Sequence, residues 1–229
     1  MASPDPFNLS SGHFALIAAW LGYAVLHSAL ASLTIKRWVA SHHPGWMPTY
    51  RLGFNAVAVL ALLPVAVLHY ANRGAALWAW EGVFAGLAWL LSGLAIVGFV
   101  YSLRFYDGSE FLGLRQWRER EERVEDQEYL HISPLHRWVR HPWYTLGLVL
   151  IWTRDVDMAL LISGSAITIY FALGSRLEER KLLAYHGNAY ARYMDRVPGL
   201  IPNPWRHLSA TEAQAMEALS REHSPEKAI

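Results

Sequence analysis

Three stretches of the chain, residues 14–33, 52–70 and 83–103, stay apolar for about twenty residues each. A hydrocarbon core of ~30 Å needs about 20 mostly apolar residues per helix, so each stretch predicts a membrane-spanning helix. A fourth apolar region, residues 143–175, is longer and is interrupted by Arg154, Asp155 and Asp157. One straight helix of that length would overshoot the bilayer and leave its charges near the midplane. The pattern instead predicts a helical hairpin that turns at "TRDVD". The fold class is therefore all-α: an integral membrane helical domain of about five transmembrane segments, the last two forming the hairpin.

The first arm of that hairpin, from Trp143 to the turn at Arg154, has only about a dozen residues, roughly 18 Å of helix, which is too short to cross. Either the bilayer thins there, or the preceding "HRWVRHP" (136–142) dips below the headgroups. Non-helical backbone is tolerated at that depth only where it lines a protein cavity. The spacing thus predicts a pocket open to one side of the membrane, walled by Arg137, Arg140 and His141, with Pro142 breaking the helix. The competing reading is a basic anchor for lipid phosphates.

Composition agrees with the apolar pattern: 53% of the 229 residues are hydrophobic and 17% charged, against about 25% charged in a typical soluble domain. The absence of cysteine excludes disulfides, thiolate metal sites and a covalent cysteine intermediate. A net charge of +1 does not point to any partner; no metal and no nucleic acid are expected. Charge does set an orientation. With five segments, one side of the membrane receives 18 of the 20 lysines and arginines, and the other only Arg73 and Arg154. Cytoplasmic loops are enriched in Lys and Arg, so the N-terminus is expected outside and the C-terminus in the cytoplasm. The start, "MASPDPFNLSSGH", lacks the basic region of a cleaved signal peptide. One membrane domain is expected over residues 1–208. Residues 209–229 form a cytoplasmic tail, with a capping box of Ser209 and Glu212 opening a short helix that frays.

Polar chemistry collects on the basic side. Residues 118–128 mix both charge signs and read as a solvated helix with i,i+4 pairs. Glu178 and Glu179 stand where the last membrane helix leaves the bilayer. Adjacent helical residues point about 100° apart, so one can face inward while the other pairs with Lys181. Ordinary surface ion pairs are the plainer reading and contribute little. Gly187 reads as a helix stop, and Tyr190 and Tyr193, at i,i+3, share one face of a short following helix. His27 lies inside the first membrane helix. A neutral imidazole bonded to a neighbouring helix, with Asn55 as a partner, is favoured there over a functional site. The "SHHPGW" segment (41–46) is a loop, because adjacent histidines do not converge on one metal.

"RWVRHPWYTLG", followed by "RLEERKLLAYHGNAYARYMDRVPGLIP", resembles the paired C-terminal motifs of the membrane-embedded methyltransferases. That superfamily includes isoprenylcysteine carboxyl methyltransferase and the phospholipid N-methyltransferases. Its elements are matched by Arg140-His141-Pro142-Trp143-Tyr144, Glu178-Glu179, Gly187-x-x-Tyr190-x-x-Tyr193 and Val197-Pro198. "LHSALASLTIKRW", "YRLGFN" and "FLGLRQW" are similar to bacterial methanethiol S-methyltransferases and NnrU-like membrane proteins. Two places depart from that pattern. The additional N-terminal membrane helix of many such enzymes has no counterpart ahead of His27-Ser28, and Pro134-Leu135-His136 stands where Gly-Pro-Tyr or Gly-Pro-Phe is common.

The resemblance implies a bacterial inner-membrane enzyme with a cytoplasm-facing pocket for S-adenosyl-L-methionine. It implies methyl transfer to a small thiol such as methanethiol. The alternatives are a lipid headgroup or prenylcysteine carboxylate as acceptor, and a non-catalytic NnrU-like protein. The implied cofactor-binding residues are His136, Arg140, His141, Tyr144, Gly147, Glu178, Glu179, Tyr190 and Tyr193, with His141, Glu179 and Arg140 catalytic. In this scheme Arg140 or His141 meets the cofactor carboxylate and Glu178 or Glu179 the ribose hydroxyls. Tyr144, Tyr190 or Tyr193 bounds the adenine and sulfonium, where a cation over a ring gains roughly 0.5–2 kcal/mol. Gly147 permits close approach. The acceptor, a small thiol or another lipophilic molecule, enters from the bilayer among the membrane lipids. His136, His141 and Glu179 are the candidates for a general base.

Overall fold

The computed structural model describes residues 8–122, 124 and 130–222. Part of the mixed-charge stretch 118–128 and the last residues of the tail, 223–229, therefore lie outside the described residues.

The elements follow the apolar pattern. Helix α1 (Ser11–Ala31) opens on Ser10, whose Oγ accepts from His13 N while His13 Nδ1 accepts from Ser10 N. Ser32 ends α1 and starts the short α2 (Leu33–His42), its Oγ accepting from Ile35 N at 3.3 Å. Then come α3 (Met47–Ala71), α4 (Gly82–Ser102) and two short helices, α5 (Gly108–Leu112) and α6 (Leu114–Glu119). The hairpin is α7 (Pro142–Trp152) and α8 (Met158–Arg196), and α9 (Ala210–Glu222) closes the described chain. No strand occurs among the described residues. α1, α3, α4 and α8 are long and apolar enough to cross a membrane. Val25, Val67, Val83 and Trp89 on their outer faces are exposed. Helices apolar on all faces and bare of protein cover are solvated by lipid, so the chain is an integral membrane protein.

The chain divides into two compact units. The first comprises Met1–Leu90, Tyr106–Asp126 and Ile151–Ala166. Its core is Leu16, Val65 and Ala159, flanked by Trp20, Tyr23 and Leu68. Ser163 joins three helices, its Oγ 3.0 Å from Trp20 Nε1 and 2.9 Å from His69 Nδ1. The hairpin turn also belongs here, and its charges have partners. Asp157 caps α8 by accepting from Leu160 N at 2.8 Å and binds Arg73 Nε at 2.9 Å. Asp155 accepts from Trp80 N at 3.0 Å, and Val156 bridges to Trp78. These contacts explain why the apolar region folds back at "TRDVD" instead of carrying its charges into the hydrocarbon. Asn55 is fixed elsewhere than its expected pairing: its Nδ2 donates to the carbonyls of Phe111 and Leu112, both at 3.1 Å. His27 packs its ring against Phe54 and Tyr23.

The second unit comprises Leu91–Phe105, Gln127–Leu150 and Ile167–Ile229. Its core gathers Leu130, Ile132, Tyr190, Tyr193, Val197 and Leu208. Gly187, at φ 51° and ψ −128°, interrupts α8 where the sequence reads a stop; this left-handed backbone favours glycine. The expected Ser209–Glu212 box is present, with Ser209 N donating to Glu212 at 2.8 Å and Glu212 N to Ser209 Oγ at 3.2 Å. α9 is held further by Arg196 to Glu212 at 2.9 Å and by Glu217, which accepts from Ile132 N at 2.6 Å. Trp143 Nε1 donates to Ser102 Oγ at 2.8 Å, tying the start of α7 to the end of α4.

The arms of the hairpin approach closely because one carries glycine where the other carries a ring. A Cβ on Gly147 would lie 3.3 Å from Phe171 Cε2. Leucine at 147 therefore has to displace Phe171, and overpacking of this kind costs about 1–3 kcal/mol. Gly93 of α4 has nothing within 4 Å of such a Cβ. Thermal unfolding in detergent should show Gly147→Leu destabilised by that amount and Gly93→Leu close to the parent.

Candidate active site

Arg140 and His141 precede α7 in an irregular segment, and Pro142 begins the helix where a missing N–H costs nothing. Their backbone is not left open. Arg140 N donates to Pro198 O at 2.9 Å and His141 N to Gly199 O at 3.1 Å. Thr145 Oγ1 completes the row by donating to Leu200 O at 2.6 Å. Three successive carbonyls after α8 thus hold the entry to α7. Opposite them, Glu178 and Glu179 follow the twenty residues that begin at Met158, about 30 Å of helix and one hydrocarbon thickness.

The side chains converge on one oxygen. Glu179 Oε1 accepts from Arg140 Nε at 2.8 Å, lies 2.8 Å from Arg140 Nη2, and is 3.0 Å from His141 Nε2. Arg140 Nη1 donates to Met194 O at 3.0 Å and to Val197 O. Hydrogen bonds to protein partners therefore take three of the five guanidinium N–H groups, with Nη2 at ion-pair distance from Glu179. Both Arg140 and Glu179 side chains are largely buried, at 10% and 11% exposure. With Nε2–H assigned toward the Glu179 carboxylate, the lone pair of a neutral His141 falls on Nδ1. That atom is 3.6 Å from Glu178 Oε2, on a side chain 50% exposed. The adjacent glutamates are thus unlike: Glu179 faces inward as an ion-pair hub, and Glu178 stands at the open edge.

An aromatic stack extends from His141. Its ring lies parallel to Tyr144, with centroids 5.4 Å apart, and Tyr144 lies parallel to Phe171 at 4.3 Å. Gly147 clears the space that Phe171 fills. Tyr190 and Tyr193 are elsewhere. They are 1% and 3% exposed, sit edge to face in the core, and Tyr193 Oη donates to His136 O at 2.7 Å. Their exposure corresponds to packing residues under the site, not to walls open to a ligand. Arg137 enters through its main chain, its carbonyl accepting from Leu208 N at 3.0 Å.

His136 Nδ1 is 2.7 Å from Ser133 Oγ. Burial, with the nearby His131 and His141, holds its pKa down at about 4. Sequence reasoning passed over Phe171 and the carbonyls of Met194, Val197, Pro198 and Gly199. The i,i+7 spacing of Phe171 to Glu178, one helical face, could have found the first. Main-chain acceptors leave no trace in residue type.

The chain is 28% identical over 186 residues to a methanethiol S-methyltransferase of Crocosphaera subtropica, covering 79% of this chain and 71% of that protein. A methanethiol S-methyltransferase of Bradyrhizobium diazoefficiens is 28% identical over 203 residues, 86% of this chain and 76% of its own length. One of Mycobacterium tuberculosis is 30% identical over 192 residues, 81% of this chain and 76% of its own length. No family model matches the chain, and no solved structure matches it.

The depressed His136 pKa gives stability a pH slope. The unfolded chain takes up a proton at this residue near pH 6.5, whereas the folded chain resists protonation until about pH 4. The contribution is complete above pH 6.5 and is lost as pH falls through that window, by roughly 3 kcal/mol. Denaturation midpoints at pH 7 and pH 4.5 should diverge for the parent and converge for His136→Gln.

Proposed function

The chain belongs to the family of the methanethiol S-methyltransferases, and on that premise we propose that it transfers the methyl group of S-adenosyl-L-methionine to a small thiol such as methanethiol. The observation that carries this reading is the unequal pair of glutamates: Glu179 immobilises Arg140 and His141, while Glu178 stands at the open edge with Nδ1 of the buried His141 3.6 Å behind it.

The residues at that edge fit the cofactor. S-adenosyl-L-methionine carries a sulfonium and an ammonium, ribose hydroxyls and a carboxylate. When bound, it supplies an activated methyl group on the sulfonium. Glu178 can accept from hydroxyls or the ammonium. Because Arg140 is committed to Glu179 and two carbonyls, it acts mainly as a positioning residue, and its Nη2 group is what remains to reach the carboxylate. Gly199 keeps that face of Arg140 clear, since a Cβ there would lie 3.3 Å from Nη2.

A thiol acceptor has to lose its proton. His141 Nδ1 is the base this geometry favours: Glu179 fixes the tautomer through Nε2 and stabilises the imidazolium once the proton arrives. Glu178, whose half-exposed carboxylate lies 3.6 Å from Nδ1, stands between that proton and the solvent. On this reading the site opens to the cytoplasm of a bacterial inner membrane, the N-terminus faces outward in keeping with the lysine and arginine distribution, and a small lipophilic acceptor arrives through the bilayer.

Membranes containing the protein, given methyl-labelled S-adenosyl-L-methionine and methanethiol, should release volatile label. His141→Asn should lower kcat by about 10²–10⁴-fold, the range of general-base catalysis. Label recovered in the lipid extract alone would assign a bilayer acceptor instead, and no transfer to either would leave a non-catalytic protein.

A further inference from the structure

The segment that follows α8, residues 198–208, is fastened at both ends and bare in the middle. Its first three carbonyls accept from Arg140 N, His141 N and Thr145 Oγ1, and Leu208 N donates to Arg137 O at 3.0 Å. Trp138 stacks on His207 with centroids 4.4 Å apart. Between these ties Ile201 is 81% exposed and Trp205 is 88% exposed, with Pro202 and Pro204 also at the surface. Two large apolar side chains held rigidly outward gain nothing from water.

Part of the backbone here is paired within the protein. Pro198, Pro202 and Pro204 have no N–H to satisfy. Trp205 N donates to Asn203 Oδ1 and Arg206 N to Asn203 O, both at 3.0 Å, while Pro204 O is 3.0 Å from His207 Nδ1. Irregular backbone can enter the hydrophobic zone of a membrane only when its hydrogen bonds are met within the protein. This loop meets that condition in part, which suits a seat at the headgroup boundary, where water reaches the remaining main-chain groups while large apolar side chains point into the acyl region. Leu200, fastened to Thr145, also places it beside the first turn of α7. With 11 residues, α7 rises only about 16 Å, leaving roughly half of a 30 Å hydrocarbon layer to be covered by something else.

We propose that residues 200–205 are seated in the membrane leaflet, with Ile201 and Trp205 among the acyl chains, forming the lipid-side rim of the site and bracing Arg140 and His141 through the carbonyls of Pro198 and Gly199. The occupant of this apolar surface is the bilayer itself, and the proposal does not depend on which reaction the site performs.

The chain has no cysteine, so single cysteines can be labelled cleanly. Ile201→Cys and Trp205→Cys, labelled with an environment-sensitive fluorophore, would be compared in lipid nanodiscs with Leu173→Cys on α8 and Ala215→Cys on α9. Leu173 is exposed on a membrane helix and Ala215 is exposed on the tail helix. Lipids brominated in the upper acyl chain should quench the labels at 201 and 205 by about half or more, as expected about 5–10 Å below the headgroup boundary. They should also quench 173 more than 215. Aqueous iodide should show the opposite order. Labels at 201 and 205 that iodide reaches as readily as 215 would overturn the proposal. Labels reached by neither quencher would also overturn it, because they would mean a protein partner covers the loop.

Discussion

One carboxylate oxygen organises the second compact unit. Glu179 Oε1 meets two nitrogens of Arg140 and one of His141, and Arg140 in turn reaches the carbonyls of Met194 and Val197. The irregular segment before α7, the body of α8 and the chain beyond Gly187 therefore share one buried ion pair. Such a pair gains little net stability over a well-packed apolar core, yet removing one partner costs about 3–5 kcal/mol because the other charge is stranded. Its value here is geometric. It fixes which nitrogen of His141 carries the proton and leaves Glu178 and Nδ1 as the groups able to meet a ligand.

The membrane imposes the second constraint. An 11-residue arm such as α7 cannot span, so the segment leading into it has to run as irregular backbone near the hydrocarbon boundary. The chain meets that demand with paired main chain: Pro198, Gly199 and Leu200 present carbonyls to Arg140, His141 and Thr145. The same row that satisfies the backbone aims the side chains of Arg140 and His141. Depth in the bilayer and precision at the site therefore have one cause, and proline and glycine at 198 and 199 serve both.

Much of this is legible in residue types. The three long apolar runs, the fold-back at Arg154–Asp157, the stop at Gly187 and the cap at Ser209 each follow from hydropathy length or from a residue with a special backbone role. Arg140, His141, Glu178 and Glu179 fall on one side of the membrane by the same reasoning, and the family resemblance is what groups them in one site. Their division of labour was not legible. Adjacent glutamates look equivalent in a sequence, and only the rotation of α8 makes one a hub and the other an edge. Tyr190 and Tyr193 share a face by spacing and are pocket aromatics by family resemblance, but they are packed beneath the site, because the turn at Gly187 and the docking of α9 bury that face. Arg140 looks like a ligand-binding cation, yet most of its donors go to carbonyls and to Glu179, partners that no motif encodes.

The most direct measurement is the equilibrium affinity of S-adenosyl-L-methionine for the purified protein in nanodiscs, comparing the parent with Glu178→Gln and checking that both unfold at the same temperature. A half-exposed carboxylate that meets the cofactor predicts a loss of about tenfold or more, the 1.4 kcal/mol or more that a charge-assisted hydrogen bond contributes, at unchanged stability. Equal affinities would contradict the account, because the edge formed by Glu178 and His141 would then not be where the cofactor binds.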